Sequence, residues 1–251
     1  MDITTLPVGF GVAIANLDLR KASPQDAAQL RAALLEHGLL VIRDQSLTPA
    51  EQIAASAMFG ELETFPHRAP DRLPQIFPVA SRAEEGYTEV GRYWHSDGSF
   101  REVPTAISFW HSVTEPEQGG ETLFTDLQQA YAELPQELKE DIASVRTIHR
   151  NGVIHPLVMP HPATCIPAIY LNMGLTAGIV SYPPPLSARL MTAIDEHLSR
   201  PGATYSHHWQ AGDVVVADNY HMAHQATPIS RAERRLLNRT TVSGEGVLWG
   251  A

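Results

Sequence analysis

The chain has 251 residues, 43% of them hydrophobic, which suits one large domain with a sizeable core. Its formal net charge of −10 argues against nucleic-acid or anionic-membrane partners, so an acidic ligand would have to be held by a local cluster of arginines. The single cysteine, Cys165, excludes an internal disulfide and any cysteine-based zinc or iron–sulfur site, and reads as a small apolar filler.

No basic region precedes an apolar run in Met1 to Phe10, so a leader peptide is not expected and a cytoplasmic location is. Ser23-Pro24-Gln25-Asp26 predicts a capped helix start, with Gly38 as the stop. Leu39 to Ile42 reads as a buried strand, too short to span a bilayer. Thr48-Pro49-Ala50-Glu51 is a capping box that opens a second helix to about Gly60. Residues 62–92 are rich in Pro, Arg and Glu and read as an irregular or mobile lid leading into a strand at His95. Strands follow at Thr105 to Val113 and Thr122 to Leu127, then one or two helices to Ala143. The Pro-rich stretch near 150–185 reads as a second irregular lid segment, followed by a helix from Ser187 to His197. Tyr205 to Trp209, Asp213 to Asp218 and Leu236 to Val242 complete the strands. With no repeat or linker, residues 1–251 are expected to form one mainly β domain with peripheral helices, of barrel or jelly-roll type.

The pair His95-x-Asp97 carries the first chemical signal. In an extended chain, residues two apart face the same side. One more histidine would complete the two-imidazole, one-carboxylate set of non-haem Fe(II) oxygenases, which leaves other metal positions free. His221 and His224 compete for that place; three apart on a strand, they face opposite ways. If Val214 and Val216 face the core, His224 shares their side and His221 reads as a surface or supporting imidazole.

Several stretches together resemble the taurine and 2,4-dichlorophenoxyacetate dioxygenase family. They are Leu40-Val41-Ile42-Arg43-Asp44-Gln45, Phe59-Gly60-Glu61-Leu62, Trp94 to Phe100 and Gly119-Gly120-Glu121-Thr122-Leu123-Phe124. His208 to Asp213, Asp218-Asn219 running to His224, and Arg234 to Thr241 complete the set. The resemblance implies a double-stranded β-helix and an oxygenase that uses Fe(II), 2-oxoglutarate and O2. It implies His95, Asp97 and His224 as metal ligands, and Arg235 with Thr122 on the distal carboxylate of 2-oxoglutarate. A guanidinium suits that carboxylate because it can bind it with two parallel hydrogen bonds. Arg239 shares the strand parity of Arg235 and, by the same resemblance, contacts an acidic group on a small-molecule substrate. The retained Asp97 favours hydroxylation or desaturation over halogenation.

Taurine-cleaving members carry a His before a Pro after the second helix; here Phe65 precedes Pro66, with His67 one step beyond, which points away from taurine. An amino acid or biosynthetic intermediate, with desaturation or cyclisation as outcome, is the competing substrate reading. Two other classes are a Zn(II) hydrolase or isomerase on the same ligands and a non-catalytic small-acid-binding barrel. Homo-oligomerisation is left open. Trp94 and Phe100 are read equally as pocket or core residues. His111, His149, His155, His161 and His197 read as ordinary surface or packed side chains, Arg231 and Arg234 as a solvated edge.

Overall fold

The structure is a computed structural model and describes residues 1–66, 73–230 and 232–249. Strands β1 (Asp2–Thr5) and β2 (Val12–Ala15) lead into α1 (Pro24–His37) and β3 (Leu39–Ile42). The start of α1 is where its sequence places it. The Ser23 hydroxyl accepts from the Asp26 backbone N–H, and the Asp26 carboxylate accepts from the Ser23 N–H. Helix α2 (Pro49–Ala57) is capped in the same way by Thr48 and Glu51.

The remaining elements are β4 (Gly60–Leu62), β5 (Phe77–Ala80), β6 (Ile107–Thr114), β7 (Thr122–Asp126), α3 (Leu127–Ala132), α4 (Gln136–Ile142) and β8 (Arg146–His149). Then come β9 (Ile154–Pro156), β10 (Val158–Pro160), β11 (Pro167–Ile169), β12 (Thr176–Ile179) and α5 (Pro184–Leu198). Strands β13 (Thr204–His207), β14 (Val214–Asp218), β15 (Met222–Ala226) and β16 (Leu236–Val247) close the chain.

The large sheet runs β1-β2-β3-β14-β6-β16-β4, with β5 also paired to β16; the small sheet runs β13-β7-β15. They face each other as a jelly roll. Leu39, Val41, Val215, Ala217, Trp110 and Leu237 from the large sheet meet Phe124 and Met222 from the small one. The alternate residues of the large sheet, including Leu40, Ile42, Val214, Val216 and Phe109, pack outward against Leu30 and Leu34 of α1 and Ala55 of α2. Because both faces are covered, β3 and β14 read as unbroken apolar runs, and each buried Leu, Ile or Val contributes about 1.5–3 kcal/mol. A third cluster joins Ala223 of β15 to α3, α5, β11 and β12.

Three expectations are corrected. The stretch near 150–185 is not structureless: β9 and β12 pair with β8, and β10 pairs with β11, in strands of three or four residues. Prolines there keep the strands short rather than abolishing them. The 62–92 segment contributes the last residue of β4 and all of β5, and β5 sets Phe77 directly opposite Arg239. Cys165 fills no core position. It is exposed, with φ 61°. Among the described residues, no helix is long and apolar enough to cross a membrane.

Candidate active site

His95 and Asp97 do not lie on a strand. His95 forms isolated bridges to Asn172 and His224, and Asp97 begins a turn. The bridge to His224 is reciprocal: His95 N–H donates to His224 O at 3.1 Å, and His224 N–H to His95 O at 2.9 Å. This backbone pairing, not a strand period, sets the two imidazoles with ring centroids 4.1 Å apart. Gly98 follows Asp97 at φ 77°, and a Cβ there would lie 2.4 Å from the Thr105 backbone nitrogen. The turn therefore needs glycine.

One ligand atom from each of His95, Asp97 and His224 falls within 4.8 Å of the others, and all three residues are buried. His95 Nε2 is 3.9 Å from Asp97 Oδ1, and His224 Nε2 is 4.0 Å from Asp97 Oδ2. His95 Nδ1 lies 2.8 Å from Tyr93 O, so Nδ1 carries the proton and Nε2 keeps its lone pair for a metal. Burial pushes both imidazoles below their ordinary values, His224 well below. Burial opposes the charge on Asp97, but Arg239 and the two imidazoles hold its carboxyl well below the usual range. Two neutral nitrogens and an ionised oxygen form the donor set that a divalent ion requires.

Sequence parity selects His224 on a premise that fails. Val214 and Val216 face the helices, and the inward residues of β14 are Val215 and Ala217. The turn at 219–221 then passes the chain to the other sheet and reverses the parity, so Met222 and His224 point inward while Ala223 points out. Two errors cancel. His221 is not at the surface: it is buried, with Nε2 3.2 Å from Asp126 Oδ2, at the start of α3 and outside the triad.

Arg235 and Arg239 do share a side. Both line a small cavity of about 30 Å³ with His95, His224 and Thr122. A larger cleft of about 320 Å³ also includes Arg235, so this guanidinium stands where the cleft meets the triad. Arg235 donates from Nη1 to Gly120 O and pairs with no carboxylate among the described residues. Among the described residues its buried Nε has no partner, and burial pushes the group down to about 10. A buried cation with an orphaned donor fits an anionic ligand. The Thr122 hydroxyl accepts from Trp209 Nε1 at 3.0 Å, which leaves its own proton free to donate into the cavity.

Arg239 also reaches the triad carboxylate. Its Nη1 lies 2.9 Å from both oxygens of Asp97, and its guanidinium lies over the Phe77 ring, 4.7 Å from the centroid. Its buried Nε has no partner among the described residues. Trp94 packs away from the site and donates to Ser199 Oγ, and Phe100 is exposed, so neither shapes the cavity. Arg234 is a surface residue paired with Glu85. His67 and Arg231 lie outside the described residues. Sequence reasoning gave no role to Ser108 or Trp209, and quoted Asn219 without one. A lone hydroxyl inside the apolar run Ile107 to Trp110 was the available signal for Ser108.

A family model described as "Taurine catabolism dioxygenase TauD, TfdA family" matches residues 2–241. The (S)-phenoxypropionate/alpha-ketoglutarate-dioxygenase of Sphingobium herbicidovorans is 27% identical, covering 97% of this chain and 95% of its own. A taurine dioxygenase structure from Burkholderia xenovorans superposes with TM-score 0.84 at 31% identity, covering 97% of this chain and 89% of that one. AAD-2, solved with Mn(II) and N-oxalylglycine, superposes with TM-score 0.87 at 26% identity, covering 98% and 100%. The chain belongs to the TauD, TfdA family and is a 2-oxoglutarate-dependent dioxygenase that uses Fe(II).

Proposed function

We propose that this enzyme oxidises a small molecule bearing a carboxylate or sulfonate, with His95, Asp97 and His224 as the metal ligands. Residues 1–251 act as one catalytic domain; of the two lid segments, the earlier reaches the cavity through Val79, Val90 and Gly91, and no residue of 150–185 lines it. The observation that carries the reading is the convergence of the triad with two buried arginines, which line one cavity with His95 and His224 while Arg239 also pairs with Asp97. When bound, Fe(II) and 2-oxoglutarate supply the O2 chemistry that couples decarboxylation of the keto acid to succinate with oxidation of a substrate C–H bond.

The protein's own part is orientation. Arg235 holds the distal carboxylate of 2-oxoglutarate, and the Thr122 proton, left free by Trp209, fixes its rotation. Arg239 offers its remaining donors to the acidic group of the substrate while Phe77 supports the guanidinium plane. Phe77 stacks on Tyr87 at 4.2 Å and meets Phe65 edge-on at 5.3 Å, so an aromatic cluster backs the Arg239 guanidinium. The relatives, one a phenoxypropionate dioxygenase and one a taurine dioxygenase, fit an acid anchor of this kind.

Anaerobic addition of Fe(II) and then 2-oxoglutarate should produce a weak visible charge-transfer band. A screen of carboxylates and sulfonates should then show succinate release above the uncoupled background. A protein that binds metal but gives no such band would be a hydrolase or a sensor instead.

A further inference from the structure

Asp97 is held by a closed ring of hydrogen bonds. Its backbone N–H donates to Asn219 Oδ1 at 3.0 Å, Asn219 Nδ2 donates to Ser108 Oγ at 3.0 Å, and Ser108 Oγ donates to Asp97 Oδ2 at 2.6 Å. Ser108 and Asn219 are almost fully buried, so water does not compete for these bonds. The ring joins three separate pieces of backbone: the turn at Asp97, the inward face of β6 and the turn after β14.

The two carboxylate oxygens are therefore unequal. Each has two lone pairs. Oδ2 accepts from both Ser108 Oγ and Arg239 Nη1, and its capacity is filled. Oδ1 accepts from Arg239 Nη1 and retains one lone pair. Each oxygen faces one imidazole, Oδ1 toward His95 Nε2 and Oδ2 toward His224 Nε2, so among the described residues it is the filled lone pairs on Oδ2 that set the two apart.

Building on the triad assignment above, we infer that Ser108 and Asn219 are positioning residues that make Asp97 a one-oxygen ligand through Oδ1. The consequence concerns coordination number. A bound divalent ion would then be held by His95, His224 and one oxygen of Asp97, and a second Asp97 oxygen would compete with the cosubstrate and O2 for the positions that these residues leave free. Deleting the Ser108 proton frees a lone pair on Oδ2 and permits chelation through both oxygens. Asn219 acts one bond further back, by aligning the Ser108 hydroxyl and fixing the Asp97 backbone.

The test compares wild type, Ser108→Ala and Ser108→Thr, each loaded anaerobically with Mn(II). Binding is measured by titration. Asp97 coordination is read by infrared spectroscopy with 13C-labelled aspartate, where a chelating carboxylate shows a narrower separation of its two stretches. Ser108→Ala should bind Mn(II) within about threefold of wild type, or more tightly, with the narrowed pattern. Ser108→Thr, which keeps the hydroxyl, should restore the wild-type pattern. If Ser108→Ala does not fold, Ser108→Cys, a weak donor of similar size, takes its place with the same expectation. An unchanged infrared pattern in the substituted protein, or a tenfold loss of Mn(II) affinity, overturns the inference while the triad stands. Wild type that binds no Mn(II) overturns both.

Discussion

Replacing Arg235 by Ala tests the cosubstrate pocket most directly, because structure predicts opposite effects on ligand binding and on ligand-free stability. In the free protein the guanidinium is buried with no carboxylate partner among the described residues, and burial pushes it from 12.5 down to about 10. That displacement corresponds to a desolvation cost of about 3 kcal/mol. A 2-oxoglutarate carboxylate offsets it, so removing the arginine should cost about 3–5 kcal/mol of binding, as for a broken buried ion pair. The dissociation constant should rise by roughly a hundred- to a few-thousand-fold. Metal affinity should change little, since Arg235 makes no contact with the triad carboxylate. Calorimetric titration of the Mn(II)-loaded protein with N-oxalylglycine measures the first effect, and Mn(II) titration the second. Thermal melting without ligand should show the variant no less stable than wild type. A loss of N-oxalylglycine affinity below tenfold, or equal losses of metal and ligand affinity, would refute the assigned role.

Other substitutions read separate parts of the design. Thr122→Val should raise the dissociation constant for 2-oxoglutarate about tenfold, and Trp209→Phe should have a smaller effect of the same kind, since it disturbs only the orientation of the hydroxyl. Gly91 has φ 68°, and a Cβ there would lie 2.6 Å from the His95 ring; Gly91→Ala should therefore weaken Mn(II) binding measurably by titration. His221→Ala should still bind one Mn(II), and complete loss of metal would mean that the wrong histidine has been assigned. Burial opposes the charge on His221, but Asp126 outweighs it and raises the imidazole. Its contribution to stability is thus fully present below about 6.5 and lost as pH rises through the folded value. Urea melts of Asp126→Asn against wild type should show the difference shrinking as pH increases. His149 has the opposite sign. Burial and the nearby His155 lower it to about 4, so the unfolded chain binds the extra proton between about 6.5 and 4. Stability should fall by up to about 3 kcal/mol across that interval, and His149→Gln should flatten this part of the profile.

Local chemistry determined much of this protein from sequence. The capping boxes at Ser23 and Thr48 depend on side chains three residues apart, and the start of both helices follows from them. The apolar runs at Leu39–Ile42 and Val214–Asp218 are legible as strands because sheets covered on both faces need no polar alternation. Likewise, Arg239 lies on β16 and Arg235 immediately before it, and the two still line the same cavity four residues apart. Tertiary structure decided what crosses between sheets. His95 and Asp97 are oriented by bonds to His224 and Asn219, more than 120 positions away, rather than by a strand of their own. The parity that seemed to select His224 is broken where β14 passes to β15, because a turn between facing sheets resets which side of the chain points inward. The ring through Ser108, like the pairing of Arg239 with Asp97, exists only once these segments meet. Sequence spacing fixes direction within one element, whereas the relation between elements is set by the packing that buries them together.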